Sequence, residues 1–128
     1  MGDRVLLQCV AGHGTAKQEV GPVLYLHWEG DKAPDVVAVL AERMKDRGSI
    51  GDVVYCSARL VEAALDACGL RGTDTGIGMW NHDTPLTAKD SHGDAGCVLI
   101  HVDKKFRCDC MGGYLKTGAD GFPAMGGV

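Results

Sequence analysis

The chain has 128 residues, of which 45% are hydrophobic and 23% charged, the size and balance of one globular domain. Its 13 Lys and Arg against 17 Asp and Glu leave a net charge of −4. That excludes a basic nucleic-acid clamp and falls far short of an acidic DNA mimic, so direct nucleic-acid binding is not expected.

Arg4–Val10 (RVLLQCV) is an apolar run that reads as a buried strand, and Ala11–Thr15 (AGHGT) as a loop. Val20-Gly21-Pro22 is a turn or a strand entry. Val23–Trp28 (VLYLHW) is a second strand, with Val23, Tyr25 and His27 on one face and Leu24, Leu26 and Trp28 on the other. Asp31–Arg47 predicts a helix: Pro34 suits its first turn, acids lie at its start and bases at its end. Val36, Val37, Leu40 and Met44 form its apolar stripe, and Gly48 stands where a helix stops. Asp52–Cys68 predicts a second helix capped by Asp52 and ended by Gly69, with Val54, Ala58, Val61, Leu65 and Cys68 as its buried stripe. The short Gly48–Gly51 link makes the two an αα-hairpin.

Turn signals fill Gly69–Gly78, and Ile77–Asn81 is a short strand. Asn81–Ala95 is a polar loop, and Cys97–Val102 (CVLIHV) a strong strand. Asp103-Lys104 is read as a hairpin turn, although it lacks the glycine that favoured turns use. Phe106–Met111 alternates, with Phe106, Cys108 and Cys110 facing one way and Arg107 and Asp109 the other. Gly112–Val128 holds six glycines in seventeen residues and reads as a loose arm. The expected fold is α+β in the order ββααβββ: an antiparallel sheet of about five strands with the αα-hairpin packed on one face. Residues 1–111 would form the domain and 112–128 a Gly-rich tail. The sheet edge at Phe106–Met111 would invite pairing with a second copy as a homodimer.

No apolar run approaches the roughly 18 residues of a spanning helix, so no membrane contact is expected. Met1-Gly2-Asp3-Arg4 does not open a secretory signal. The expected location is therefore cytoplasmic, and the six cysteines are expected as reduced, mostly buried thiols. Cys108-Asp109-Cys110 lacks the second pair that zinc sites use and reads as core. His101 shares the Cys97 face and reads as a structural histidine.

Two stretches carry more chemistry. His27, Trp28 and Asp31 lie at a strand-to-helix turn, where free helical N–H groups favour an anion. Trp28 and Trp80 can stack on a flat ligand or plug the edges of the core. His82, Asp83, His92 and Asp94 share one loop with Asp90 and Ser91. They can converge on a divalent ion or form an acid–base pair. Equally, the acids and Asn81 can serve as turn-formers. The Ala11–Thr15 loop lacks the Walker lysine and the full GxGxxG. GxSxG, HExxH, GKS/T, kinase and zinc-deaminase patterns are absent. No catalytic residue is named and no cofactor is expected.

Gly21–Met44 (GPVLYLHWEGDKAPDVVAVLAERM), with Gly78–Asp83 (GMWNHD) and Asp90–Gly96 (DSHGDAG), resembles small accessory proteins encoded by phages and prophages. The resemblance covers about half the chain and implies a role in a bacterial host. By association, it implies binding rather than catalysis: an anti-defence inhibitor that blocks a host defence or regulatory protein, or sequesters a nucleotide-like signal. The binding surface would combine His27, Trp28 and Asp31 with Trp80, His82, Asp83, His92 and Asp94. Two alternatives stand beside it: a small metal-assisted hydrolase using His82, Asp83, His92 and Asp94, and a virion structural or assembly protein whose tail orders on contact.

Overall fold

A computed structural model describes residues 2–46, 52–71 and 75–126. Arg47, the Gly48 helix stop, the Gly48–Gly51 link and the middle of the Gly69–Gly78 turn lie outside them. The strands are β1 (Val5–Ala11), β2 (Glu19–Val20), β3 (Val23–Leu26), β4 (Ile77–Trp80), β5 (Gly96–His101), β6 (Arg107–Met111), β7 (Leu115–Thr117) and β8 (Pro123–Met125). The helices are α1 (Ala33–Met44), preceded by one 3-10 turn at Gly30–Lys32, and α2 (Val53–Cys68).

The α+β class holds, but the sheet is mixed rather than purely antiparallel. Its order is β4-β3-β1-β5-β6, with the two-residue β2 added beside β1. β3, β4 and β6 run antiparallel to their neighbours, whereas β1 and β5 are parallel, in register from Val5↔Gly96 to Val10↔His101. Parallel neighbours need a crossover, and here it contains β2, β3, both helices and β4. The chain order also gains β2, β7 and β8 over the expected series.

One face of the sheet packs on the helices. Val5, Leu7, Cys9, Leu24, Leu26, Val98, Ile100 and Cys108 join Val36, Val37, Leu40, Met44, Cys56 and Leu60 in the main core. The α1 stripe is the expected one. The α2 stripe is not: Val53, Cys56, Ser57, Leu60, Ala63 and Ala64 are buried, while Val54 is 80% exposed. Asp52 does cap α2, accepting from the Tyr55 N–H, and Gly69 ends it in the left-handed region. Arg43 of α1 ties the pair together on the surface, pairing with Glu62 at 3.1 Å and with Asp66.

The polar 81–95 loop crosses the opposite face, where Leu86 packs with Leu6, Val23 and Cys97 in a second, smaller core. Gln8 of β1 anchors the loop. Its amide donates to the Gly21 and Thr84 carbonyls and accepts from the Leu86 N–H at 2.8 Å.

The Gly-rich C-terminal segment is not a loose arm between 112 and 126. β7 and β8 pair as a hairpin, and Leu115 is fully buried. The turn between β5 and β6 is wider than the two-residue one expected. Without glycine it forces Lys105 and Phe106 to positive φ, and Phe106 sits before the strand rather than in it.

Candidate functional site

The two tryptophan-bearing stretches meet around Tyr25. In β3, Leu24 and Leu26 point to the helices, leaving Val23 and Tyr25 on the loop-covered face. The β3–β4 register sets Trp80 opposite Val23 and Gly78 opposite Tyr25, so Trp80 lies diagonally from Tyr25 on the same face. The Tyr25 ring lies 6.3 Å from Trp80, 5.7 Å from His92 and 5.8 Å from His27. Its hydroxyl hydrogen-bonds His27 Nδ1. His27 meets the edge of Trp28 at 4.6 Å. Trp28 lies across Gly76, whose φ of +67° and lack of a side chain both suit that approach: a Cβ there would collide with the indole. Tyr25, His27, Trp28, Gly76, Ile77 and Gly78 line a hollow of about 450 Å³. Neither indole is swallowed by the core: Trp28 is 48% exposed and Trp80 38%.

The remaining sequence-predicted residues lie outside this ring cluster. The Asp31 N–H donates to the Asp3 carboxylate at 3.1 Å, and the Gly30 N–H to the Asp3 carbonyl. The expected anion cradle is therefore filled by the protein's own carboxylate. That carboxylate also accepts from the Tyr114 hydroxyl, which burial and Asp3 push well above the usual phenol range. Asp94 accepts from both the backbone N–H and Nε of Arg4, and these bonds hold its carboxyl below the usual 3.8. His82 lies 3.8 Å from Asp90, and Asp83 is exposed. His82, Asp83, His92 and Asp94 do not gather as a set of metal donors. Among the described residues the donor atoms that do converge, within 4.8 Å of one another, belong to a different trio, His13, His101 and Asp109.

β4 itself forms the edge of the sheet, and no strand pairs with it on its outer side among the described residues. Met79, 46% exposed, turns to the helix side. There it lines an apolar hollow of about 300 Å³ with Pro22, Val53, Val54, Ala58 and Val61. The expected pairing edge, β6, is covered instead. The Cys108 N–H donates to the Gly121 carbonyl, the Cys110 N–H to Thr117 Oγ1, and that hydroxyl donates to the Cys108 carbonyl.

At the far corner of the loop-covered face, His101 is only 7% exposed and its Nε2 lies 2.8 Å from Asp109 Oδ2. His13, in the β1–β2 loop, places its ring 5.2 Å from that of His101. All six cysteines are free. Burial pushes Cys9 up to about 12 and Cys97 and Cys68 to about 11, and it also raises Cys108 and Cys110. None of these five is prepared as a nucleophile.

Period-2 alternation carried a usable signal for Tyr25, which shares a face with His27. The exposure of Met79 and Val54 had none, because it depends on helix phase and on which strand ends the sheet. Compared with protein-family models, curated proteins and solved structures, the chain matches none of them.

Proposed function

We propose that the protein acts by binding, offering the β4 edge and the side chains around it to an extended segment of a protein partner. One observation carries this reading. Among the described residues the exposed large hydrophobic ones are Trp28, Val54, Met79, Trp80 and Met125, and all but Met125 lie on or beside β4. An open strand edge offers backbone N–H and C=O groups to an added strand, while hollows on the two faces receive its alternate side chains. Exposed tryptophan and methionine are the residue types that anchor interfaces. The resemblance to phage accessory proteins gives a direction: the partner is a host defence or regulatory protein.

Co-purification from a bacterial host tests it with Met79→Lys and Trp80→Ala. Met125→Lys, on the remote hairpin, is the control. The reading expects one partner retained by the parent and the control and lost by both edge variants. Equal retention by all four proteins would overturn it.

A second reading, a small flat ligand in the Tyr25–Trp28 hollow, is favoured by the ring geometry. Since Asp3 already occupies the helix-start donors, it is the base and not the phosphate that fits. The chain has two tryptophans, both at this cluster, so their fluorescence reports directly. Adenosine and guanosine should quench it as strongly as their monophosphates. No change at millimolar nucleoside removes this reading.

A further inference from the structure

We propose that His13, His101 and Asp109 form a binding site for one divalent transition-metal ion of the Zn2+ class. The site lies apart from the β4 surface and does not depend on that reading.

Topology brings the three donors together. β5 and β6 pair His101 with Arg107, so Asp109, two residues on, lies diagonal to His101 on the same sheet face. The β1–β2 loop then carries His13 over them. That loop is held in place: the Gly12 N–H donates to the Asp103 carboxylate at 2.9 Å, the Gly14 N–H to Gln18 Oε1, and Thr15 Oγ1 to the Gly12 carbonyl. Asp103 belongs to the β5–β6 turn, so the loop is tied to the hairpin that supplies the other two donors.

The ligand atoms of the three residues all lie within 4.8 Å of one another. Two donors on one tetrahedral ion, each about 2.0–2.1 Å from it, stand roughly 3.3 Å apart. The trio therefore needs only small side-chain movements, and His13, which is exposed, has room to make them.

His101 is nearly buried, and Asp109 Oδ2 already lies 2.8 Å from its Nε2. That is close to the separation of two donors on one ion, so an ion held by both atoms takes the place of their hydrogen bond, with His13 as the third donor. Two imidazoles and a carboxylate suit borderline first-row ions better than Ca2+ or Mg2+. Three protein donors leave a position free, and beside them opens a hollow of about 440 Å³ lined by Lys104, Arg107 and Thr117. Cys108 also lines it, but its thiol donates to the Phe106 carbonyl and burial keeps it protonated.

The test uses the untagged full chain, stripped with chelator and titrated with Co2+ and then Zn2+. The expected result is one equivalent of Co2+ per chain, with a visible d–d spectrum and no thiolate charge-transfer band, displaced by Zn2+. His13→Ala and Asp109→Asn should each weaken binding by about tenfold or more, while His82→Ala leaves it unchanged. His13 is exposed, so its variant is expected to keep the fold, which circular dichroism checks. Absence of saturable binding up to millimolar Co2+, indifference to both variants, or a thiolate charge-transfer band would each overturn the assignment.

Discussion

Gln8 spends its whole amide on backbone partners: two carbonyls and one N–H, all on segments that pack across the sheet. It has no exposed surface, so replacing it with Leu strands those partners in an apolar layer. The expected loss is about 1–3 kcal/mol, read from denaturant midpoints. A neutral result would mean that the loop is not pinned there. Asp94 sets a pH dependence. Its hydrogen bonds to Arg4 lower its carboxyl below 3.8 in the folded state, so the stabilisation is complete above about 3.8 and is lost as pH falls through the lowered value. Melting temperatures of the parent and Asp94→Asn should differ at pH 6 and converge towards pH 2; a constant gap would contradict the linkage. Neither role was legible in the sequence. Gln8 stood as one polar letter in an apolar run, and Asp94 looked like a loop carboxylate beside a histidine. Each is defined by a partner more than seventy residues away.

Helix α2 shows what local pattern does and does not carry. Its start, stop and cap were readable because Asp52 and Gly69 act through neighbouring backbone. Its buried face was not, because two apolar stripes compete. Val54, Ala58, Val61 and Leu65 form one, and Val53, Cys56, Leu60 and Ala64 the other; packing on α1 and β1 selects the second. Leu60→Ala should therefore cost about 2–5 kcal/mol and Leu65→Ala clearly less. The reverse order in urea unfolding would put the helix in the wrong phase. The rejected stripe is still apolar, and together with Met79 it gives β4 a greasy flank. The β7–β8 hairpin was hidden for a different reason. Its glycines mark turns as readily as they mark disorder, and the buried Leu115 and the Tyr114–Asp3 bonds that fix it are long-range.

Across the whole molecule, strand pairing decides which edges and surfaces stay open more than element content does. Most strands were legible, but not that β1 and β5 run side by side in parallel, since strand neighbours depend on contacts far apart in sequence. That choice sends β6 to one edge, where the hairpin covers it, and β4 to the other, where no strand among the described residues pairs on its outer side. The expected edge is thereby closed, and the short strand carrying Met79 and Trp80 becomes the open one. It also gathers Tyr25, His27, Trp28 and His92 into one aromatic surface, while Asp31 and Asp94 turn to structural bonds. Site-specific photo-crosslinking in a bacterial host tests this arrangement most directly, with the photoreactive residue placed at Met79 or at Met125. A discrete protein adduct at position 79 and none at 125 is the predicted result. No adduct at 79, or the same adduct from both positions, would contradict a binding surface centred on β4.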